Sequence, residues 1–403
     1  MNSTMDSDGM SNCTFMPYYL HNTGMTMLYI ICYGGILLLC VGGNVLVSLV
    51  VLRNRNMRSV TNLFILNLAL SDLLIGVFCI PTTLIDNLIS GWPFGQFTCT
   101  MSNLVQGMSV SASVFTLVAI AIDRFTGIVY PFRHRMRPVS ALLAIFFIWL
   151  AAFAVICPSA ATLTVFRLED TYMVQDNQTY PVFVCFENWP RSEMRQVYTM
   201  VIFIHVYLAP LVLISIMYGC IAAKLCTNLR QVGIAEVRRT RSQRRAKVIK
   251  MLIMVAVLFM LSWLPLWTLM LLTDYGELDK QQIDFLSSYL FPVAHWLAFF
   301  NSGINPVIYG FFNKNFRRGF QGAMACRHCD SKRTMVTTMH HGTFRFLPHK
   351  RVCVEKTESC GRKQKRNGSL DVLKITPQGT QGILLEDINT IAARNKVITA
   401  WEK

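Results

Sequence analysis

Long apolar segments alternate with short polar segments along most of this chain, and seven of the apolar segments are long enough to cross a lipid bilayer. A helix needs about 20 consecutive apolar residues to span the hydrocarbon core. The first segment, 25–52, exceeds that length without a charged side chain. The expected spans are 25–52, 62–84, 98–122, 140–164, 197–226, 248–272 and 283–311. The pattern predicts an all-α membrane protein, a bundle of seven transmembrane helices over residues 25–311.

The residues beyond the seventh span predict an eighth helix that lies on the membrane surface. Phe316 and Phe320 are one helical turn apart and are accompanied by several basic side chains, a composition typical of helices in the membrane interface. We expect this amphipathic juxtamembrane helix within 312–329. Cys326 and Cys329 are candidate palmitoylation sites, with free cytosolic thiols as the alternative.

The two ends of the chain have no apolar segment of spanning length. Residues 1–24 lack the apolar core of a cleavable signal peptide, so the first span is expected to direct insertion itself. Residues 330–403 are mixed and basic, which predicts a flexible cytoplasmic tail. Because seven spans place the two ends on opposite sides of the membrane, residues 1–24 are then expected to be extracellular.

The distribution of charge predicts the same orientation. The chain has a net charge of +16, and Lys and Arg accumulate in short cytoplasmic loops. With the N-terminus outside, the outer segments hold four basic and twelve acidic residues, so nearly all the basic residues lie inside. The three glycosylation triplets, which begin at Asn2, Asn12 and Asn177, also fall outside. We expect a multi-pass protein of the plasma membrane.

Two cysteines of the outer side are expected to form a disulfide. Cys99 opens the third span and Cys185 lies in the long second outer loop, in an oxidising compartment where a disulfide persists. This bond would hold the loop over the bundle. Cys13 is left as a free thiol or an intermolecular partner.

Several polar residues lie at membrane depth, where they are costly and commonly functional. They are Asn44, Asp72, Ser113, Asn301 and Asn305. A buried carboxylate among neutral oxygen donors is a plausible site for a small hard cation. Topology alone also leaves an ion-coupled transporter or channel open, with Asp72 on the ion path. An intramembrane enzyme is less consistent with the pattern, because Asp72 has no second carboxylate at similar depth.

One short motif in nearly every span carries a family resemblance. The motifs are Gly43-Asn44-Val45, Leu68-Ala69-Leu70-Ser71-Asp72, Asp123-Arg124-Phe125, Trp149, Ser262-Trp263-Leu264-Pro265 and Asn305-Pro306-Val307-Ile308-Tyr309. In this order they resemble the signature of the rhodopsin-like (class A) G protein-coupled receptors. The resemblance implies a receptor that works without a catalytic site or an organic cofactor and acts on a heterotrimeric G protein.

The resemblance also implies roles for individual residues. An allosteric sodium ion would be held by Asp72, Ser113, Asn301 and Asn305, and the activation switch would comprise Trp263, Pro265, Pro210, Val114, Phe259, Tyr218 and Tyr309. Arg124, restrained by Asp123 at rest, would meet the G protein. The sequence departs from the family at Phe125, where Tyr is commoner, and at Arg245, where many relatives place an acid that pairs with the Arg. We therefore predict raised basal activity, which a basal signal equal to that of empty-vector cells would refute.

The acidic outer face predicts a cationic ligand. Small amines are disfavoured, because the third-span position that carries Asp in amine receptors is Gln106. Segments 81–94, 104–113 and 294–301 resemble the neuropeptide FF receptors, which bind peptides ending in Arg-Phe-amide. Receptors of the neuropeptide Y or prolactin-releasing-peptide type are the alternative within the family. The resemblance suggests coupling to inhibitory G proteins.

An Arg-Phe-amide ligand needs an anion for its guanidinium and neutral partners for its carboxamide. Asp274 resembles the family's arginine partner, with a solvated loop acid as the alternative, and Glu187 is a second candidate. Thr83, Gln106 and His295 are candidates for the carboxamide. Trp92 is a candidate ligand contact or a loop-packing residue.

Overall fold

The computed structural model describes residues 13–130, 136–231, 236–325, 339–340 and 343–344, and of these it describes the backbone alone at 56, 225–245 and from 324 onward. The chain divides into two units, Met1–Ser331 and Lys332–Lys403. In the second unit, strand Met339–His340 pairs antiparallel with strand Thr343–Phe344.

Among the described residues of the first unit, seven helices are long and apolar enough to cross a membrane, which confirms the predicted number of spans. They are α1 (Thr23–Arg53), α2 (Val60–Leu88), α3 (Gln96–Val129), α4 (Pro138–Thr162), α5 (Ser192–Ile202, Phe203–Leu208 and Ala209–Gln231), α6 (Glu236–Tyr275) and α7 (Lys280–Phe312). A 3₁₀ turn, Arg55–Met57, follows α1. The side chains of Asn22 and Ser59 accept hydrogen bonds from backbone N–H groups at the starts of α1 and α2, which satisfies donors that have no partner within the helix.

Three of the helices contain a short π-helical segment, and each segment ends two residues before a proline. The segments are Ile75–Cys79 in α2, Phe203–Leu208 in α5 and Leu286–Leu290 in α7, followed by Pro81, Pro210 and Pro292. Proline has no N–H and its ring clashes with the carbonyl four residues earlier. A π-helical segment widens the preceding turn and relieves that clash without ending the helix.

The helices bury polar side chains in the interior and leave apolar side chains on the outside. Asn67 Nδ2 donates to Thr116 Oγ1 at 2.8 Å, and Trp149 Nε1 donates to Asn67 Oδ1 at 2.9 Å, so one amide joins α2, α3 and α4. Leu38 and Phe311 are each 76% exposed on the outer surface of the bundle. Such a surface suits a lipid surrounding, where interior hydrogen bonds between helices replace those that water would make.

A three-stranded sheet covers one end of the bundle. Strand β1 (Thr14–Pro17) pairs parallel with β2 (Leu163–Gln175), and β2 pairs antiparallel with β3 (Gln178–Glu187). The β2–β3 turn has positive φ angles at Asp176 (49°) and Asn177 (62°), as a two-residue hairpin requires. The predicted fourth span, 140–164, has the observed length but lies two residues too far along the chain, because the helix is Pro138–Thr162 and β2 begins at Leu163. We call this end of the bundle the hairpin end.

The opposite end carries the predicted amphipathic helix, α8 (Lys314–Ala325). Phe316 is fully buried, with its ring centroid 5.7 Å from that of Tyr309 in α7 and 6.0 Å from that of Phe320. Arg317 and Arg318 are exposed on the other face. We call this end the α8 end. Cys326 and Cys329 lie outside the described residues, so their palmitoylation stays a prediction.

Candidate functional site

The hairpin is fixed to the start of α3 by a disulfide. Cys99 and Cys185 are bonded with their Cα atoms 5.8 Å apart, which confirms the predicted pair. Trp92 lies beside this bond in a small buried cluster with Cys99 and Leu163, and its backbone N–H donates to Phe183 O at 2.6 Å. Its side chain is only 7% exposed. These contacts favour the loop-packing interpretation of Trp92 over a ligand contact.

Asp274 lies at the hairpin end of α6 and is largely buried. Its side chain is 8% exposed, and its Oδ1 atom lies 2.6 Å from an Nη atom of Arg195 at the start of α5. The interpretation of Asp274 as a solvated loop acid is therefore unsupported by its surroundings. A carboxylate removed from water at this position binds a guanidinium well, because the pair exchanges charge-assisted hydrogen bonds.

Backbone and side-chain contacts reinforce this ion pair. Gln196 Nε2 donates to the backbone carbonyl of Asp274 at 2.7 Å, and the Tyr275 hydroxyl donates to the backbone carbonyl of Gln196 at 2.8 Å. We call the four residues Arg195, Gln196, Asp274 and Tyr275 the α5–α6 clasp. The clasp holds the hairpin ends of the two helices together.

Glu187, the second candidate for a ligand arginine, already has partners at both carboxylate oxygens. Ser159 donates its hydroxyl proton to Oε1, and Trp189 Nε1 donates to Oε2 at 2.7 Å. These bonds tie the end of β3 to α4 and to the following loop. Glu187 therefore shapes the loop, and Asp274 is the better placed acid for a cationic ligand.

The three candidates for a carboxamide lie on three helices in the hairpin half of the bundle, and each is partly buried. Thr83 is in α2, Gln106 is about two helical turns beyond Cys99 in α3, and His295 is in α7. His295 Nδ1 lies 2.9 Å from the carbonyl oxygen of Phe291. Because a carbonyl only accepts hydrogen bonds, Nδ1 carries the proton, and in a neutral ring Nε2 is left as an acceptor.

A small cavity with both polar and apolar walls lies in the middle of the bundle, with free space about the size of one water molecule. Asp72, Ser113, Asn301 and Asn305 all line it, so the structure brings the four predicted sodium ligands together. Asn305 Nδ2 donates to Asp72 Oδ2 at 2.9 Å. Three neutral oxygens, Ser113 Oγ, Asn301 Oδ1 and Asn305 Oδ1, are buried without a hydrogen-bond partner in the described part of the chain. Buried oxygens of this kind fit a hard cation, which needs several oxygen ligands.

Trp263 forms part of the wall of this cavity. Its ring is 5% exposed, lines the cavity and stacks on Phe259 with the ring centroids 5.8 Å apart. Pro265 lies within α6 two residues later, where it removes one backbone hydrogen bond and bends the helix. The indole therefore lines the cavity close to the position at which a proline interrupts the hydrogen bonds of α6.

The other predicted switch residues are also buried in the bundle interior. Val114 is 0% exposed, Tyr218 is 7% exposed, Tyr309 is 1% exposed, and Pro210 is buried where α5 leaves its π-helical segment. The Tyr309 hydroxyl has no partner among the described residues. A buried tyrosine without a hydrogen-bond partner is free to gain one by moving, because the bond costs no existing contact.

Arg124 near the α8 end has two partners. Its Nε donates to Asp123 Oδ2 at 3.1 Å, and its Nη2 donates both to that atom and to Thr61 Oγ1 in α2. The bond to Asp123 agrees with the predicted restraint on Arg124, whereas Thr61 was not anticipated. Arg245 lies among the residues whose side chains are not described, so the prediction about basal activity remains untested.

Sequence reasoning missed three polar residues of the site: Arg195, Thr61 and Ser302, which lines the cavity beside Asp72. Ser302 directly follows Asn301 in α7. A second polar residue in this apolar span could have been recognised from the sequence as a candidate for the same site. Neither Arg195 nor Thr61 had such a signal, because their partners lie on other helices. Asn177 is exposed at the hairpin tip, whereas Asn2 and Asn12 lie outside the described residues.

Comparison with known proteins assigns the chain to a family. The family described as seven-transmembrane receptor (rhodopsin family) matches residues 43–309. The neuropeptide FF receptor 1 of Homo sapiens is 57% identical over 322 residues, which cover 79% of this chain and 75% of that receptor. The neuropeptide FF receptor 2 of Mus musculus is 52% identical over 77% of this chain and 76% of its own length.

A more distant relative is named for a different peptide. The neuropeptide Y receptor type 2 of Sus scrofa is 35% identical over 74% of this chain and 76% of its own length. All these relatives are receptors, and the match extends from α1 to α7. The chain therefore belongs to the rhodopsin family of seven-transmembrane receptors, as a multi-pass receptor of the plasma membrane and not an enzyme.

Proposed function

We propose that this receptor is activated by amidated neuropeptides that end in Arg-Phe-amide and signals through inhibitory G proteins. The hairpin end then faces the extracellular side, and the α8 end and the C-terminal tail face the cytoplasm. The asymmetric charge and the exposed position of Asn177 support this orientation. The identity of 57% to a neuropeptide FF receptor, against 35% to a neuropeptide Y receptor, supports the ligand class.

The observation that carries the proposal is the environment of Asp274. The carboxylate is largely buried at the hairpin end and holds a guanidinium group 2.6 Å away. The same geometry accepts the guanidinium of a ligand arginine. Burial strengthens such a pair, because fewer water molecules screen the two charges.

His295 gives a reason for the terminal amide. With Nδ1 donating to Phe291, the other ring nitrogen of a neutral imidazole is able to accept a hydrogen bond. A carboxamide NH₂ donates such a bond, whereas the carboxylate of a non-amidated peptide only accepts. Gln106 and Thr83, also partly buried, supply neutral hydrogen-bonding groups in the same half of the bundle. This set of side chains favours an amide over a free acid.

The conformational change caused by ligand binding reaches the α8 end through the bundle interior. Movement of Trp263 against the ligand shifts α6 about the bend at Pro265, and Arg124 is released from Asp123 and Thr61 to meet the G protein. Asp72, Ser113, Asn301 and Asn305 would hold a sodium ion in the resting state, and its positive charge would balance the buried carboxylate.

The test is a panel of peptides applied to cells that express this chain, with inhibition of stimulated cyclic AMP formation as the readout. The panel holds amidated Arg-Phe peptides, their free-acid counterparts, and amidated peptides of the neuropeptide Y and prolactin-releasing-peptide types. We expect the Arg-Phe-amide peptides to inhibit at the lowest concentration and the free acids to be much weaker. A stronger response to another amidated class would contradict the ligand, and a response only in calcium release would contradict the coupling.

A further inference from the structure

Arg195 forms an ion pair with Asp274, the residue whose carboxylate is proposed to bind the arginine of the ligand. Its guanidinium lies 2.6 Å from Asp274 Oδ1, on a side chain that is itself 45% exposed. The two side chains differ in their freedom, because Asp274 is buried in its helix end and Arg195 reaches it from the solvent side. Arg195 is therefore the partner that can leave.

The rest of the α5–α6 clasp keeps Arg195 close to Asp274 even when the ion pair opens. Gln196 and Tyr275 join the two helices through backbone carbonyl groups and do not use the Asp274 carboxylate. The Arg195 guanidinium, held nearby by its own backbone, competes with the guanidinium of a ligand for the Asp274 carboxylate. Because it belongs to the same chain, its effective concentration is higher than that of a dissolved peptide. The pair is consequently formed for most of the time in the free receptor.

A ligand guanidinium and Arg195 cannot both approach this carboxylate without cost. Asp274 is only 8% exposed, so little water remains to screen two positive groups at one negative group. One guanidinium fork also takes both oxygens of a carboxylate in its preferred geometry. Binding of a ligand arginine is therefore an exchange of one guanidinium for another.

We propose that Arg195 is an internal competitor that sets the affinity and the arginine selectivity of the receptor. This inference rests on the proposed function, because it needs a ligand arginine at Asp274. In the free receptor the binding-competent state is the fraction in which Asp274 is unpaired, and the apparent affinity is reduced by that fraction. Removing the competitor raises the affinity for peptides that carry the arginine.

The same competition reduces selectivity. A peptide with citrulline in place of arginine has a neutral side chain of similar shape, and it binds with the Arg195–Asp274 pair intact. Without Arg195 such a peptide leaves the buried carboxylate unpaired, which is unfavourable. The ratio of the affinities for the arginine and citrulline peptides is therefore lower with Arg195 than without it.

The experiment measures binding of an Arg-Phe-amide peptide and its citrulline counterpart to membranes that contain the full-length receptor. Arg195→Gln is expected to raise the affinity for the arginine peptide by about tenfold and to raise the ratio of the two affinities by at least as much. Arg195→Lys keeps the charge but lacks the planar fork, and is expected to give a smaller increase. It also keeps the proposal testable if the glutamine variant does not reach the membrane.

Arg191 offers the matched control. It is exposed one helical turn before Arg195 and forms no ion pair in the described part of the chain. Arg191→Gln removes the same charge from the same helix end and is expected to leave both affinities nearly unchanged. In the Asp274→Asn background, Arg195→Gln is expected to give no increase in affinity for the arginine peptide. No carboxylate then remains for Arg195 and the ligand arginine to compete for.

The outcomes separate this inference from the proposed function. If Asp274→Asn leaves the affinity for the arginine peptide unchanged, the proposed ligand contact is wrong. The proposed competition is then wrong as well, because it needs that contact. If Asp274→Asn weakens binding but Arg195→Gln does not strengthen it, the ligand contact stands and the competition is overturned. An equal gain from Arg195→Gln in the Asp274→Asn background also overturns it, because the effect is then general charge repulsion.

Discussion

Asn305 in α7 donates a hydrogen bond to the Asp72 carboxylate in α2 at 2.9 Å, across the centre of the bundle. This bond uses the amide nitrogen of Asn305, whose oxygen is buried without a partner in the described part of the chain, and both residues line the cavity. The two residues thus present negative and neutral oxygens to the same small space.

Sodium ions are expected to lower agonist affinity through Asp72. At about 0.15 M ionic strength, agonist binding in sodium chloride should be about fivefold or more weaker than in the chloride of an impermeant organic cation. Asp72→Asn should remove the difference, because the neutral amide no longer attracts the ion. Ser71→Ala is the control, since Ser71 is buried on the same helix but bonds to Asn67 O. Equal sodium effects in both variants would remove the cavity as the binding site.

Thr61 is expected to restrain the resting receptor. Thr61→Val keeps the shape of the side chain but removes the acceptor for Arg124, a bond to a charged group of about 1.5–3 kcal/mol. If Arg124 leaves Thr61 on activation, basal inhibition of cyclic AMP should rise about tenfold. Thr126→Val is the control, because its hydroxyl bonds within α3 to Ile122 O. Basal activity of Thr61→Val no higher than that of Thr126→Val would show that Thr61 has no restraining role.

The contact between α1 and α7 at Gly43 is expected to tolerate no side chain. A Cβ atom on Gly43 would lie 2.7 Å from Pro306 Cγ, whereas nothing lies within 4 Å of one on Gly42. Gly43→Ala should destabilise the purified receptor by about 1–3 kcal/mol through overpacking. Gly42→Ala should be neutral or stabilising, because Ala is about 1 kcal/mol better than Gly inside a helix. Thermal denaturation in detergent compares the two, and equal melting temperatures would contradict this packing.

Acidic pH is expected to weaken the contact of the N-terminal segment with the bundle. His21 packs against Tyr29 and Tyr289 with ring centroids 5.2 and 5.5 Å away, and burial lowers the pKa of its imidazole. Because the unfolded state then binds the proton more tightly, His21 stabilises the fold above its ordinary pKa, and this contribution is lost as the pH falls.

The measurement is the melting temperature of the purified receptor between about pH 7.5 and pH 5.5, a range that brackets the ordinary histidine pKa. The native protein should lose more stability on acidification than His21→Phe. His205→Phe is the control, since His205 is exposed on α5, and it should behave like the native protein. A His21→Phe variant with unchanged pH dependence would remove His21 as the titrating group.

The spans and the interior motifs could be predicted because each depends on residues that are local in the sequence. Seven apolar segments specify seven spans, and Asp72, Trp263 and Asn305 lie in short motifs of single helices. The partner of Asp274 could not be predicted in this way. Arg195 lies on a different helix, and its pairing depends on how the ends of α5 and α6 pack. The π-helical segments were missed for a related reason, since proline predicts a disturbance but not its form.

The central claim is that Asp274 binds the arginine of an Arg-Phe-amide peptide, and its most direct test is the affinity of that peptide for Asp274→Asn. Glu277→Gln is the matched control, because Glu277 lies three residues further on and is exposed. At equal surface expression, we expect Asp274→Asn to weaken binding toward the lower end of about 2–5 kcal/mol, since Arg195 competes, and Glu277→Gln to have almost no effect. Equal affinities of the two variants for the peptide would contradict the claim.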